Sequence, residues 1–420
     1  MQLPEEFIRY TREVMGEERF GRYLKSFDED TPVSIRLNPL KAGGGEWKVE
    51  GGEPVPWCQG GYYLTQRPGF TFDPLLHAGC YYVQEAASMF LDTVLRQHLP
   101  SLSTPHATGN APLAMLDLCA APGGKSTLAR SVLPKDSVLY SNEPVRNRSS
   151  ILLENIKKWG YPNCIVTNAY PRDYRASKLR FDVILCDVPC SGEGMFRKDE
   201  ATIREWSPQN VERCWQLQRD IVSDAWQCLN DGGLLIYSTC TFNTKENEEN
   251  IRWMLSEFSE AQVLPVETRP EWNITGSLLE GFTEPVYRFI PGISRGEGLF
   301  LCVLRKSKPE VYSGQTGSLV RVKREFTPGK LPLKIMDAPT MPSEAACADL
   351  DYQQAMAYLR GEALQLPPDV PHGIVSVSFQ GHVLGTVKNI GTRANNLYPK
   401  EWRIKTTHIP SNYEAILRHT

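Results

Sequence analysis

From Met115 onward, short apolar runs alternate with helical segments, and that alternation restricts the chain to few folds. Ala114–Cys119, Val138–Asn142, Cys164–Thr167, Phe181–Asp187 and Leu234–Ser238 read as buried strands. Helical segments near Lys125–Leu133, Arg146–Trp159 and Ser207–Leu229 separate them. The last is the clearest: Ser207-Pro208 offers an N-cap with proline at the first helical position. Val211, Cys214, Leu217, Ile221, Ala225 and Cys228 form an apolar stripe at helical spacing, and Asp231-Gly232-Gly233 is expected to end it. Such alternation implies a mainly parallel, doubly wound sheet. Tyr287–Ile290 and Leu299–Leu304 are expected to add a terminal hairpin.

The 420 residues suit two or three domains. Residues 1–75 read as an N-terminal accessory region, with a helix near Glu5–Phe27, a strand at Val33–Asn38 and a glycine-rich loop over 41–61. The sheet is expected within 76–307. Residues 308–339 are polar and proline-bearing, as a linker is. Residues 340–420 read as a small separate domain, with a helix at Tyr352–Arg360 and short strands over Gly373–Val387 that turn at Gln380-Gly381.

Hydrophobic content of 41% and charged content of 23% are those of a soluble globular protein. No apolar run reaches the ~18 residues of a membrane span, so no membrane partner is expected. The N-terminus carries acids where a signal peptide carries bases. Eleven cysteines without a Cys-x-x-Cys, and seven scattered histidines, speak against a structural metal site. Cys186, Cys214, Cys228 and Cys302 fall in apolar runs, as reduced core residues do, and a cytoplasmic location is expected. A net charge of −3 argues mildly against nucleic-acid binding unless the charge is patchy.

Leu116 to Thr127 is a strand, a glycine turn and a helix start. Small residues let a ligand approach the backbone, and the helix N-terminus favours an anionic group. Lys125 adds positive charge. Glu143 ends the next strand, where a carboxylate suits the two hydroxyls of a ribose. Gly124-Lys125-Ser126 also matches the end of a phosphate loop, but that motif needs glycine where Cys119 stands, and Pro122 lacks an N–H for the cradle. A glycine turn without a ligand is the plain alternative. Turn, lysine and ribose acid together fit an adenosyl cofactor with a carboxylate, such as S-adenosylmethionine.

Two further cysteines stand just past strand ends, Cys190 in Asp187-Val188-Pro189-Cys190-Ser191-Gly192 and Cys240 in Ser238-Thr239-Cys240-Thr241. Strand ends form the active-site rim of an open parallel sheet, and their polar setting is that of reactive thiols. Packing residues or a disulfide are the bland readings. With Cys119-Ala120-Ala121-Pro122-Gly123-Gly124-Lys125, these motifs resemble the Sun family of RNA cytosine-C5 methyltransferases. The resemblance runs from about Ser34 to Leu304 and includes Tyr81-Tyr82-Val83-Gln84-Glu85-Ala86-Ala87-Ser88. Met195-Phe196-Arg197-Lys198-Asp199 and Asn395-Asn396-Leu397-Tyr398-Pro399-Lys400 are similar to the bacterial RsmF (YebU) type.

The resemblance implies a Rossmann-like S-adenosylmethionine-dependent methyltransferase core, an α/β fold of seven mostly parallel strands, with a small α+β PUA-like C-terminal domain. It implies Cys240 as nucleophile, Cys190 as the group that assists release, Asp187 on the base, and Lys125 near both cofactor and base. The cofactor set is Cys119, Ala120, Ala121, Pro122, Gly123, Gly124, Lys125, Glu143, Arg148, Asn168 and Asp187. Where many relatives place an acid against the adenosine, this chain has Tyr170, with Asp173 nearby, and Val188 stands for the usual alanine. Glu246, Glu248 and Glu249 are expected to be structural, with Asn243 and Glu246 as a helix capping pair. Arg197 and Lys198 are open to an RNA phosphate or to solvent.

Lys388, Arg393, Lys400, Arg403 and Lys405 interleave with Tyr398 and Trp402. Bases neutralise phosphates while rings stack on unpaired bases; a solvated basic face with core aromatics is the alternative. The expected partner is RNA, 16S rRNA or the small ribosomal subunit, and the expected form a monomer. A tRNA 5-methylcytosine methyltransferase and a non-catalytic assembly factor are the rival readings.

Overall fold

The computed structural model describes residues 3–42, 47–102, 112–307, 335, 347–406 and 408–419. The expected linker, apart from Ile335, lies outside them. In chain order the strands are β1 (Val33–Leu37), β2 (Trp47–Val49), β3 (Glu53–Pro54), β4 (Gly61–Leu64), β5 (Tyr81–Val83), β6 (Ala114–Asp117), β7 (Val138–Asn142), β8 (Cys164–Thr167) and β9 (Phe181–Asp187). They continue with β10 (Leu229–Thr239), β11 (Ala261–Leu264), β12 (Tyr287–Phe289), β13 (Leu299–Lys306), β14 (Cys347–Asp349), β15 (Gly373–Phe379), β16 (His382–Asn389), β17 (Ala394–Asn396) and β18 (Leu417–His419). The chain forms two compact units. One takes the described residues of 1–32, 87–152 and 163–336, the other those of 33–86, 153–162 and 337–420.

The first unit is built on a sheet of order β11-β13-β10-β9-β6-β7-β8, and β12 pairs with β13 as an eighth strand. Strands β8, β7, β6, β9 and β10 are parallel. β13 runs antiparallel to β10, and β11 and β12 pair with successive parts of β13. Val183, Ile184, Leu185, Leu234, Leu235 and Ile236 are fully buried, as in a parallel sheet covered on both faces. The chain winds outward from β6 through β7 to β8, then returns to β9. At such a switch point the strand-end loops diverge and leave a crevice.

Ser207 caps the helix Pro208–Cys228, accepting from the Asn210 N–H at 3.1 Å. Its other end differs from the sequence expectation. The helix stops at Cys228, and Asp231-Gly232-Gly233 lies in a bulge of β10, where pairing shifts from Leu229↔Phe181 to Leu234↔Val183. A Cβ on Gly233 would sit 2.8 Å from the Asn230 carbonyl oxygen, so the bulge closes only on glycine. The glycines therefore serve the bulge rather than a helix cap.

The N-terminal helix Glu5–Lys25 bends at Gly16, whose φ is 74°. It buries Phe7, Phe20 and Tyr23 in a cluster with Phe196, Trp206 and Phe242. Phe7 lies 4.9 Å from Phe196, and Tyr23 lies 5.3 Å from Phe242, ring to ring. Phe196 and Phe242 belong to the loops that carry the two thiols, so this helix backs the thiol loops.

The second unit holds the sheets β3-β4-β1-β5 and β14-β15-β16-β17 and the pair β18-β2. The loop-like reading of 41–61 gives way in part to β2, β3 and the start of β4. The helix Tyr352–Arg360 carries an Asp351/Gln354 capping box and ends on left-handed Gly361. Gln380 and Gly381 turn β15 into β16 with φ of 50° and 78°. Ile35, Leu75 and Tyr81 share one core with Met356, Leu359, Val377 and Leu417.

Candidate active site

The loop after β6 is anchored from both sides: Leu118 N–H donates to the Leu185 carbonyl at 3.0 Å and Ala120 N–H to that of Asn142 at 2.7 Å. Gly123 then caps the helix Gly124–Val132 with a φ of 116°, a conformation that favours glycine. Ala120 is buried, Cys119 and Ala121 half-buried, and Pro122 exposed. Burial holds the Cys119 thiol well above its ordinary value, so it stays neutral.

Glu143 is 1% exposed. Its Oε1 accepts from Val145 N–H at 2.9 Å, while Oε2 has no hydrogen-bond partner among the described residues. Arg148 Nη1 lies 3.3 Å from Oε2 without aligning to it, and Nη2 donates to the Ala121 carbonyl at 3.1 Å. Arg148 thus links the acid to the glycine loop. Asn168 donates to the carbonyls of Glu143 and Pro144, both at 2.8 Å, and so shapes the turn that presents the acid. Tyr170 is 55% exposed, and Asp173 caps the helix Pro171–Ser177 by accepting from Tyr170 N–H at 2.8 Å.

Lys125 Nζ meets Asp187 Oδ2 at 2.9 Å, and Ser238 Oγ donates to Asp187 Oδ1 at 2.6 Å. Burial pushes the Lys125 ammonium down, but the Asp187 carboxylate and the nearby Cys240 sulfur outweigh it and hold Lys125 above its usual value. Ser238 and Asp187 are register partners of parallel β10 and β9, and the ladder ends with them. Just beyond it the Cys190 and Cys240 sulfurs lie 3.3 Å apart, and Cys240 N–H points at the Cys190 sulfur at 3.4 Å. Its hydrogen bond to Cys240, then burial, raises the Cys190 thiol well above the ordinary value.

Sequence motifs therefore mark side chains that the structure gathers into two adjoining groups. Lys125, Asp187, Cys190 and Cys240 form one, and Glu143, Arg148, Asn168 and the loop 119–124 form the other.

Residues 107–305 match the family model described as 16S rRNA methyltransferase RsmB/F. Residues 3–86 match the N-terminal domain of 16S rRNA methyltransferase RsmF, and residues 345–404 match the methyltransferase RsmF PUA domain. The chain belongs to the RsmB/F methyltransferase family. It is 33% identical over 323 residues to ribosomal RNA small subunit methyltransferase F of Cronobacter sakazakii, covering 73% of this chain and 63% of that protein. Against the protein of the same name from Escherichia coli O157:H7 the identity is 32%, over 73% and 64%. The chain thus spans less than two thirds of the length of these relatives. A solved methyltransferase homolog from Pyrococcus horikoshii is 26% identical, with a TM-score of 0.59 over 72% of this chain and 95% of that one. NSun6 of the same organism, at 20% identity and a TM-score of 0.58 over 73% and 98%, has the same fold.

In this RsmB/F member the structure changes several readings. Arg197 does not wait for a phosphate: its side chain is 4% exposed, pairs with Glu297 at 3.0 Å and donates to the Glu29 carbonyl at 3.1 Å. Tyr398 is 3% exposed and packs on Tyr358 and Trp402, so it is a core ring and cannot stack on a base. Lys388, Arg393, Lys400 and Lys405 are exposed. Glu248 is structural as expected, buried against Arg288.

Other residues were missed. Asp117 closes β6 fully buried, with Oδ2 on Ser126 Oγ at 2.6 Å and Oδ1 without a hydrogen-bond partner among the described residues. Burial raises it to about 7. An acid that ends an apolar strand was the available signal. Glu193 was missed as well; it and Glu246, expected only as a structural acid paired with Asn243, are at most 1% exposed and lie in the thiol loops. Burial, then the charge of Glu193, pushes Glu246 up to about 7. Gly194 approaches the Cys240 carbonyl so closely that a Cβ would sit 2.7 Å from it.

Proposed function

We propose that this protein transfers a methyl group from S-adenosylmethionine to carbon 5 of a cytosine in 16S rRNA. The observation that carries the reading is the thiol pair, 3.3 Å apart beside the Lys125–Asp187 ion pair. The names of the relatives support the RNA, and the exposed bases of 388–405 supply charge for its phosphates. Residues 1–75 and 340–420 hold the RNA in this reading, and 76–307 carry the chemistry.

S-adenosylmethionine supplies an electrophilic methyl group. The residues present fit it: the buried Glu143 Oε2, which has no hydrogen bond among the described residues, suits a ribose hydroxyl, and the helix beginning at Gly124 suits a carboxylate. Arg148 and Asn168 fix the acid and the loop.

Carbon 5 of cytosine is a weak nucleophile. The base leaves its stack to reach the thiols. Cys240 attacks as the thiolate, stabilised by the Cys190 S–H and the Lys125 ammonium. Its sulfur bonds to carbon 6, and the electron pair of the 5,6 double bond makes carbon 5 nucleophilic. Asp187, held by Lys125 and Ser238, accepts a hydrogen bond from the exocyclic amine. Once Cys240 is bound to the ring, Cys190 releases its proton to water. With carbon 5 methylated, the Cys190 thiolate takes the carbon-5 proton. The C–H electron pair restores the double bond, the S–C6 bond breaks, and Cys240 leaves as thiolate.

Methyl transfer to small-subunit rRNA, with a denaturing gel for covalent protein–RNA species, tests this. Cys240→Ala is expected to abolish methylation. Cys190→Ala is expected to accumulate the adduct. An adduct from the Cys240 variant alone reverses the two roles, and methylation of tRNA alone removes the rRNA assignment.

A further inference from the structure

The β9–β10 ladder ends at Asp187 and Ser238; beyond it Gly194 N–H still donates to the Cys240 carbonyl at 2.7 Å, but the regular ladder no longer holds the two thiol loops together. Two buried carboxylates occupy that gap. Glu193 follows Cys190 in its loop, yet its Oε2 accepts from the N–H groups of Phe242 and Asn243, at 2.6 and 3.0 Å, in the Cys240 loop. Glu246 follows Cys240, yet its Oε2 accepts from Ser191 N–H at 3.0 Å, next to Cys190. Each loop thus sends a carboxylate into the other's backbone.

The remaining oxygens are tied down as well. Glu193 Oε1 accepts from Trp206 Nε1 at 3.0 Å and from Asn243 Nδ2 at 3.1 Å. Glu246 Oε1 accepts from the same Asn243 amide at 2.7 Å, and Gln218 Nε2 donates to Oε2, also at 2.7 Å. Two buried acids side by side are costly to desolvate. A fully connected polar network of this kind specifies one geometry, because each broken bond leaves a buried donor unmet.

We propose that Glu193 and Glu246 are positioning residues: a reciprocal clamp between the two loops that sets the separation of the Cys190 and Cys240 sulfurs. Neither carboxylate reacts. Each acts through the backbone that carries the opposite thiol. The link to turnover rests on the methyl-transfer reading; the clamp itself does not.

Thiol closure in the full chain, without RNA, tests the clamp. Diamide takes up two electrons and two protons as Cys190 and Cys240 join, and mass spectrometry of the linked peptides follows the rate. Wild type is expected to close quickly. Glu193→Gln and Glu246→Gln put an amide N–H against donors and are expected to close at least about tenfold more slowly, since a shift of ~1 Å can cost about a hundredfold in rate. Glu246→Asp, one methylene too short to reach Ser191, gives the same slowing and decides the matter if a Gln variant does not fold. Asp182→Asn is the control, at the opposite end of β9, where Asp182 accepts from Ala114 N–H at 2.8 Å; it is expected to close at the wild-type rate. Equal closure in all variants, or equal slowing in the control, overturns the clamp. In methylation, the Gln variants are expected to lower kcat and leave KM for RNA unchanged. Wild type that closes but never methylates removes the methyl-transfer reading and leaves the clamp standing.

Discussion

Asp117 ends β6 with one oxygen on Ser126 and the other without a hydrogen-bond partner among the described residues, and burial raises it from 3.8 to about 7. Between those values the unfolded chain gives up the proton while the folded chain keeps it. Stability therefore falls as pH rises from about 4 to about 7 and stays reduced above that, by up to about 4 kcal/mol. Asp117→Asn removes this titration and still accepts from Ser126. Thermal unfolding of both proteins across that range is expected to favour the variant increasingly with pH; parallel curves contradict it. Glu143 was legible in the sequence because its spacing from the glycine turn is a local property. Asp117 and Glu193 were not, and Glu246 was legible only as a partner of Asn243, because an acid's role depends on what buries it. Tyr398 marks the opposite error: an aromatic among bases reads as an RNA contact, and only packing against Tyr358 places it in the core.

Strands β9 and β10 place the thiols, and tight glycines let their loops meet. A Cβ on Gly298 would fall 2.6 Å from the Gly194 Cα and 2.9 Å from the Phe242 ring. Gly194 N–H also donates to the Cys240 carbonyl at 2.7 Å. Gly298→Ala is expected to cost about 1–3 kcal/mol of stability through overpacking and to slow methylation by displacing the Cys240 loop. Urea unfolding and methyl-transfer rates check both, and wild-type values in each contradict the packing argument. The helices of this region were legible from caps and periodicity, Ser207-Pro208 above all. The β10 bulge was not: Asp231-Gly232-Gly233 has the composition of a helix stop, and only pairing with β9 reveals its use.

At the scale of the whole molecule, Met356, Leu359, Val375, Val377 and Leu417 share a core with Ile35, Leu75 and Tyr81. Five large side chains at ~2 kcal/mol each contribute about 10 kcal/mol, comparable to a domain's entire stability of about 5–15 kcal/mol. Truncation at residue 340 is therefore expected to unfold β1 and β5 rather than merely weaken RNA binding. Hydrogen exchange at their amides measures this, and full protection in the truncated chain contradicts it. Sequence periodicity by itself determined the α/β class, the parallel strands and the strand-end setting of Cys190 and Cys240, because strand, turn and helix preferences are local. Tertiary structure alone decided that the two sulfurs lie 3.3 Å apart, that Glu193 and Glu246 bridge their loops, and that strands far apart in sequence share one core. Burial and hydrogen bonding depend on partners that the fold brings in from distant parts of the chain.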